Sequence, residues 1–373
     1  MKNVKLSDIL GIINKMAPAV IAESWDNPGL QVGDPGVGIR RVMVALDASQ
    51  QTIDAAISSD CQLLLTHHPL IFKPQKKLSN DTPLGRMIFS AIRSSLAVAC
   101  MHTNYDSARN GLNDLLSVML GVEDCCPLQL SASVELVKLV VFVPEGHLDK
   151  VRSSLFVFAE NLGDYCDCSF SAGGNGTFTP LSGAHPFIGK VGTRETVMEY
   201  RLELLLRRDV LPRAIRAMKA SHPYEEPAFD VYSLMNQPDG YGLGRVGRLD
   251  GALTLADFAA HVSSQLNATG VRYVGEPDRV ISKVALCGGS GGSLIGDAVR
   301  FGADVLVTGD VRYHDARDAQ AKGIALIDAG HFATEFVMVA SVAERLKSLL
   351  VESGFEGCEV LCCRSESDPF IYS

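Results

Sequence analysis

A chain of 373 residues, 47% hydrophobic and 21% charged, has the composition of a globular protein of two or three domains at about 150 residues each. It has ample apolar material for a large core, which excludes a disulfide-stapled miniprotein. A formal net charge of −9 and the lack of any Lys/Arg block disfavour nucleic acid as a partner, because such binding needs a basic footprint. The amino terminus, MKNVKLSDILGIINKM, reads as a short amphipathic helix with Ser7-Asp8 near its start and lacks the apolar region of a signal peptide. No apolar run approaches the roughly 18 residues of a membrane span, so no membrane association and a cytoplasmic location are expected. The cysteines, at 61, 100, 125, 126, 166, 168, 287, 358, 362 and 363, include no CxxC pair. The vicinal pairs suit ordinary bridges poorly, and Cys358, Cys362 and Cys363 lack the spacing of a tetrahedral zinc site. Reduced thiols are expected.

In the first 120 residues or so, apolar runs alternate with helical patterns. Val42 to Leu46 ends at Asp47-Ala48-Ser49, a strand followed by a helix cap; Gln62 to Thr66 and Leu96 to Met101 are further strands. Their nearly continuous apolar character predicts burial on both faces of a mainly parallel sheet, and the intervening segments give the βαβ pattern of an α/β domain.

The middle of the chain differs. Val137–Val143 reads as a strand, Glu145–Glu160 as a helix and Tyr165–Phe170 as a short strand. A Gly-rich stretch then leads to an Arg201–Leu206 strand, a helix near Val210–Lys219 and a Phe229–Leu234 strand. Strand-helix-strand twice over is the split βαβ of α+β ferredoxin-like folds. The tract Ser221-His222-Pro223-Tyr224-Glu225-Glu226-Pro227 reads first as a rigid loop shaped by two prolines and second as an effector or subunit contact.

The last part repeats the opening plan. Lys283–Ser290 (KVALCGGS) matches VMVALDAS at 42–49, and Ala303–Asp310 (ADVLVTGD) matches CQLLLTHH at 61–68. Ser49 and Thr66 are 17 positions apart, Ser290 and Thr308 18. The reading is a pseudo-duplicated α/β metal-binding domain interrupted by an inserted one: 1–130 and 238–373 form the two halves, and 131–237 the insert.

Candidate chemistry gathers at strand ends, where open α/β sheets bind ligands. His67-His68 closes one strand before Pro69, and Asp106 follows the His102-Thr103-Asn104 strand end. In extended backbone His67 and His68 point apart, so they suit two metals, or one if the strand has already broken. Asp106 reads as a ligand or as the cap of a helix from Ala108. His331 and Glu335 open a long helix, four residues apart and thus on one face. Three histidines and two carboxylates exceed one tetrahedral zinc with an open position; they suit two divalent ions sharing a carboxylate, which activate water for hydrolysis. The ligand types admit Zn, Mn, Fe, Co or Ni. Asp310 and His314 are candidates for general acid or base, for orienting ligands, or for capping the next helix. Gly288–Gly292 reads as a tight turn or as a phosphate cradle.

Taken with Glu23-Ser24-Trp25-Asp26-Asn27-Pro28-Gly29-Leu30-Gln31-Val32-Gly33, the tracts Thr66–Leu70, His102–Asp106, Thr308–Asp310 and Gly330–Glu335 resemble the Nif-three-like dinuclear-metal family across the whole chain. Its members commonly carry the description GTP cyclohydrolase I type 2 homologue. The resemblance implies metal ligation by His67, His68, Asp106, His331 and Glu335, a PII/CutA-like insert, and a homohexamer built as a trimer of dimers with the metal sites facing an internal cavity. It leaves open a metal-dependent hydrolase of a nucleotide or small heterocycle, GTP cyclohydrolysis included, and a non-catalytic metal-binding or regulatory scaffold.

Overall fold

The computed structural model describes residues 4–131, 135–163, 165–235 and 240–371. Its contacts separate two compact units, Met1–Ser131 with Gly240–Ser373, and Ala132–Asp239.

The first unit begins with α1 (Leu6–Met16), whose buried stripe is Leu6, Ile9, Ile12, Ile13 and Met16. There follow β1 (Gly29–Val32), β2 (Arg41–Ala45), α2 (Gln50–Ser58), β3 (Leu63–Thr66), α3 (Pro83–Arg93), β4 (Ala97–Cys100), α4 (Thr103–Asp106), α5 (Leu112–Leu120), β5 (Val122–Cys126) and β6 (Gln129–Leu130). Two starts follow directly from side chains: Ser49 and Thr82 accept hydrogen bonds from the third backbone amide of α2 and α3, and Pro83 sits at the first position of α3. Asp106 caps no helix at Ala108, because α4 ends on Asp106 and α5 starts at Leu112.

The second unit contains β7 (Leu136–Pro144), α6 (Leu148–Phe156), β8 (Ser169–Phe178), β9 (Glu195–Arg207), α7 (Leu211–Ser221) and β10 (Phe229–Ser233). Its antiparallel sheet has the order β10-β7-β9-β8, the arrangement of a split βαβ. The expected Tyr165–Phe170 strand starts later and runs straight through the glycines: Gly173, Gly174 and Gly176 are paired with Tyr200, Glu199 and Val197 of β9. Glycine weakens a strand, but ladder bonds along β9 carry it here. The His222–Pro227 loop is pinned by His222, whose Nε2 lies 3.0 Å from the Phe142 carbonyl and whose Nδ1 accepts the Tyr224 amide at 3.0 Å.

The chain re-enters the first unit through β11 (Gly242–Leu243), then β12 (Arg245–Thr254), α8 (Leu255–Gln265), β13 (Arg272–Val274), β14 (Val280–Ser290), α9 (Ile295–Arg300), β15 (Val305–Gly309), α10 (Tyr313–Lys322), β16 (Ala325–Asp328), α11 (His331–Phe336), α12 (Met338–Glu352) and β17 (Glu359–Cys362). One sheet is ordered β1-β4-β3-β2-β17 and the other β13-β16-β15-β14-β12-β5. In each, a parallel run, β2-β3-β4 or β14-β15-β16, carries an antiparallel edge strand beside its last member, and β17 extends the first run as a fourth parallel strand. The central strands are buried along their lengths, as two-sided coverage requires. Helix α12 packs on β2 and β17, while α5 and α11 pack on β14. All ten cysteines are free thiols.

Candidate metal centre

The carboxyl ends of β2, β3 and β4 meet those of β14, β15 and β16 at one place within the first unit. His67 and His68 lie just beyond β3, and since the strand stops at Thr66 their rings both turn toward the cluster, 5.1 Å apart. Asp106 arrives on the last residue of α4, and His331 and Glu335 on the first and fifth residues of α11. Asp328 frames the approach to α11, accepting from the Gly330 and Val311 amides and from Arg272.

Glu335 lies at the centre. Its Oε1 is 3.6 Å from His67 Nε2, which is 3.5 Å from Asp106 Oδ1. Its Oε2 is 3.0 Å from both His68 Nε2 and His331 Nε2. Two donors about 2.1 Å from one ion, at octahedral or tetrahedral angles, stand about 3.0–3.4 Å apart, so the contacts of Glu335 Oε2 with His68 and His331 fit a shared cation. Those of His67, at 3.5 and 3.6 Å, lie just outside that range. His67 Nε2, Asp106 Oδ1, His331 Nε2 and Glu335 Oε2 are buried without hydrogen-bond partners, a costly state unless a cation satisfies them. The donor set is nitrogen and oxygen throughout. Cys287 lines the adjoining cavity, but burial and the nearby Asp106 and Glu335 push its thiol far above the usual range, which keeps it protonated and a poor ligand.

Each imidazole is aimed from behind. His67 Nδ1 donates to the Met101 carbonyl at 2.8 Å, His68 Nδ1 to Asp47 at 2.8 Å and His331 Nδ1 to Asp310 at 2.7 Å. Such partners fix the tautomer and leave the Nε2 lone pair for a metal. Asp47 is itself braced, because Glu366 accepts from the Leu46 and Asp47 amides at 2.8–3.1 Å.

The electrostatics follow from burial and mutual attraction. Burial opposes charge on His68, but the facing carboxylates of Asp47 and Glu335 raise its pKa to about 10. The facing Glu335 carboxylate lifts His331 to about 9 against burial. Burial raises Asp106 to about 6. Burial also works against the Glu335 carboxylate, yet the facing imidazoles hold it well below the usual range.

His102 belongs to the tract that ends with Asp106 but is not among the ligands that the sequence points to. Here its ring stands 5.4 and 5.6 Å from those of His67 and His68, and a ring nitrogen of each falls in one group of potential metal donors. His102 Nδ1 donates to Asp26 at 2.8 Å, and Asp26 also accepts from the Thr103 amide at 3.0 Å. The available signal was the shared strand end with Asp106. Of the other two candidates, Asp310 sits behind His331, on its Nδ1 rather than on the Nε2 that faces Glu335. His314 is exposed on α10 against Tyr313, away from the cluster, and neither candidate caps that helix, whose start is held by Arg312 and Asp315.

The glycine tract serves the cluster rather than a phosphate. The Gly288, Gly289 and Gly291 amides already donate to Asn113, Thr334 and Thr308, which takes up the cradle. Gly289 adopts φ +61°, and a Cβ there would fall 2.2 Å from Glu335 Oε1. Only glycine leaves room for that carboxylate.

The sequence model of the family described as Duf34/NIF3 (NGG1p interacting factor 3) matches residues 4–369. Among curated proteins, the chain is 40% identical over 372 residues to a Bacillus subtilis protein named GTP cyclohydrolase 1 type 2 homolog, covering 100% of this chain and 99% of that one. A Halalkalibacterium halodurans protein of the same name is 39% identical, with both chains fully covered. Among solved structures, the fold is similar to that of a Bacillus cereus protein related to NIF3, with a TM-score of 0.89, 37% identity and full coverage of both chains. No helix among the described residues is long and apolar enough to cross a membrane.

Proposed function

The chain belongs to the Duf34/NIF3 family, and on that footing we propose that it is a metal-dependent hydrolase acting on a nucleotide or other small heterocycle with two divalent ions per subunit. The observation that carries this reading is the division of Glu335: one oxygen faces His67, with Asp106 beyond it, and the other faces His68 and His331. One ion would be held by His67, Asp106 and Glu335, the second by His68, His331 and Glu335. Divalent ions so held supply an acidified water and a counter-charge for an oxyanion; the donor set admits Zn, Mn, Fe, Co or Ni.

The protein's own groups have distinct tasks. Asp47 and Asp310 orient His68 and His331. His102, with its Nδ1 proton committed to Asp26, offers its other ring nitrogen to the cavity and is suited to take up a proton there. A cavity of about 530 Å³ beside the cluster has the size of a small-molecule site.

The wider reading follows the family resemblance. The two sheets of the first unit are the products of a duplication, supported by their shared strand order. The second unit is a PII/CutA-like insert, supported by its split βαβ order, and the assembly is a homohexamer. Ten free thiols support a reducing cytoplasmic location.

Elemental analysis of gently purified wild type and of Glu335→Ala tests the centre, followed by a metal-dependent hydrolysis screen that begins with GTP. Two ions per subunit, their loss in the variant, and turnover that falls with them are expected. Metal content near zero after addition of Zn, Mn, Fe, Co and Ni overturns the reading. Full metal loading with no turnover across nucleotides and heterocycles replaces it with a metal-binding scaffold.

A further inference from the structure

We propose that Trp25 and Phe72 form a stacking platform that holds the planar ring of a nitrogen heterocycle beside the metal centre; this rests on the reading of that centre as a substrate site.

Trp25 is 57% exposed and Phe72 47%, so two large aromatic surfaces face water next to a polar cluster. Their rings meet edge to face at 5.8 Å, and each also meets the His102 ring, at 5.9 and 6.3 Å. Side chains of this size normally sit in a core or an interface. Here the backbone that presents them is fixed. Asp26, next to Trp25, has a fully buried side chain held by His102 and Thr103. Asn27 donates to the Ile71 carbonyl at 2.7 Å, and Gln31 accepts the Ile71 amide at 3.2 Å. These bonds tie the loop of Trp25 to the loop of Phe72, so the platform is built before any ligand arrives and little ordering entropy is lost on binding.

The shape selects the occupant. Trp25, Phe72 and His102 line the same cavity of about 530 Å³ as His68, His331 and Glu335. That volume accommodates a nucleoside-sized molecule, whereas a protein partner would need a broad surface of about 800 Å². Glu23 lines this cavity too, and its carboxylate has no hydrogen-bond or ion-pair partner among the described residues. A carboxylate accepts only, so it favours a ring that carries N–H groups on its edge. Purine- and pterin-type rings with an amino or lactam N–H have this character.

Trp25 is the only tryptophan of the chain, so its emission reports on the platform directly. The full-length, metal-loaded protein is titrated with guanosine, with GTP and with inorganic triphosphate, and metal content is measured in every sample. Saturable emission changes are expected with guanosine and GTP and none with triphosphate. By calorimetry, Trp25→Leu should weaken guanosine binding about tenfold or more, a typical loss for a base-stacking aromatic, with metal content unchanged; Trp25→Phe should retain most of the affinity. An unresponsive emission, equal affinity in Trp25→Leu, or an emission that changes only on dilution of the protein overturns the platform, the last by showing that a second copy covers it. Guanosine binding through Trp25 in a protein that turns over nothing refutes the hydrolase alone, and an unresponsive Trp25 in an active, metal-loaded protein refutes the platform alone.

Discussion

Asp310 accepts the Nδ1 proton of His331 at 2.7 Å, although 21 positions and the whole of α10 separate the two residues. Asp47 does the same for His68 across a similar stretch of chain. A carboxylate behind an imidazole locks its tautomer and strengthens it as a donor. Asp310→Ala and Asp47→Ala should therefore each weaken metal affinity about 10- to 100-fold, with folding intact. Competition against a calibrated chelator measures this; affinities within twofold of wild type would refute the orienting role.

Gly289 and Gly296 offer a matched contrast. A Cβ at Gly289 falls on Glu335 Oε1 in a left-handed backbone, while at Gly296, inside α9, nothing lies within 4 Å. Gly289→Ala should cost about 2–4 kcal/mol of stability and shed metal. Gly296→Ala should be neutral or stabilising by up to about 1 kcal/mol. Thermal melts with metal analysis of both proteins decide the point.

The pH behaviour should change sign with loading. In metal-free protein the pKa values of His68 and His331, about 10 and about 9, stand above the unfolded value near 6.5. Their contribution to stability is thus complete below about pH 6.5 and is lost as pH rises through 9 to 10. Metal, by contrast, requires neutral imidazoles, so loading near neutral pH should release protons and loaded protein should lose its ions on acidification. Melting midpoints of stripped and loaded protein, with calorimetry in buffers of different ionisation enthalpy, test both halves. A stripped protein that gains stability between pH 7 and 10 would contradict the first.

Arg245 is 1% exposed and is satisfied by Asp114 and by the carbonyls of Gly240, Gly242, Gly244 and Ala108. Arg245→Ala strands those acceptors and should cost about 3–5 kcal/mol. Urea denaturation is the check, and a loss below 1 kcal/mol would show that the network is dispensable.

Much of this architecture is legible in residues alone, because its strongest signals are local. The runs at 42–46 and 62–66 fall on β2 and β3, since strands covered on both faces have little choice but to be apolar. His331 and Glu335 share a helix face through simple 3.6-residue periodicity. What stays hidden is non-local. Asp26 reaches His102 across 76 positions, and Glu366 braces Asp47 from 319 positions away; no periodicity encodes either. β17, formed by Glu359–Cys362 beside β2, escapes notice because its four residues are short and half exposed. The glycines at 173, 174 and 176 resemble a loop because their strand is held by its neighbour's ladder rather than by its own side chains.

The chain leaves the first unit beside the point where it returns: β6 pairs with β11, and the Ser131 amide donates to the Tyr241 carbonyl at 3.1 Å. Arg245 then rivets the returning strand in place. With departure and return so close, a change in the length of chain between them alters loop-closure entropy only slightly, and every group that converges on Glu335 comes from the first unit itself.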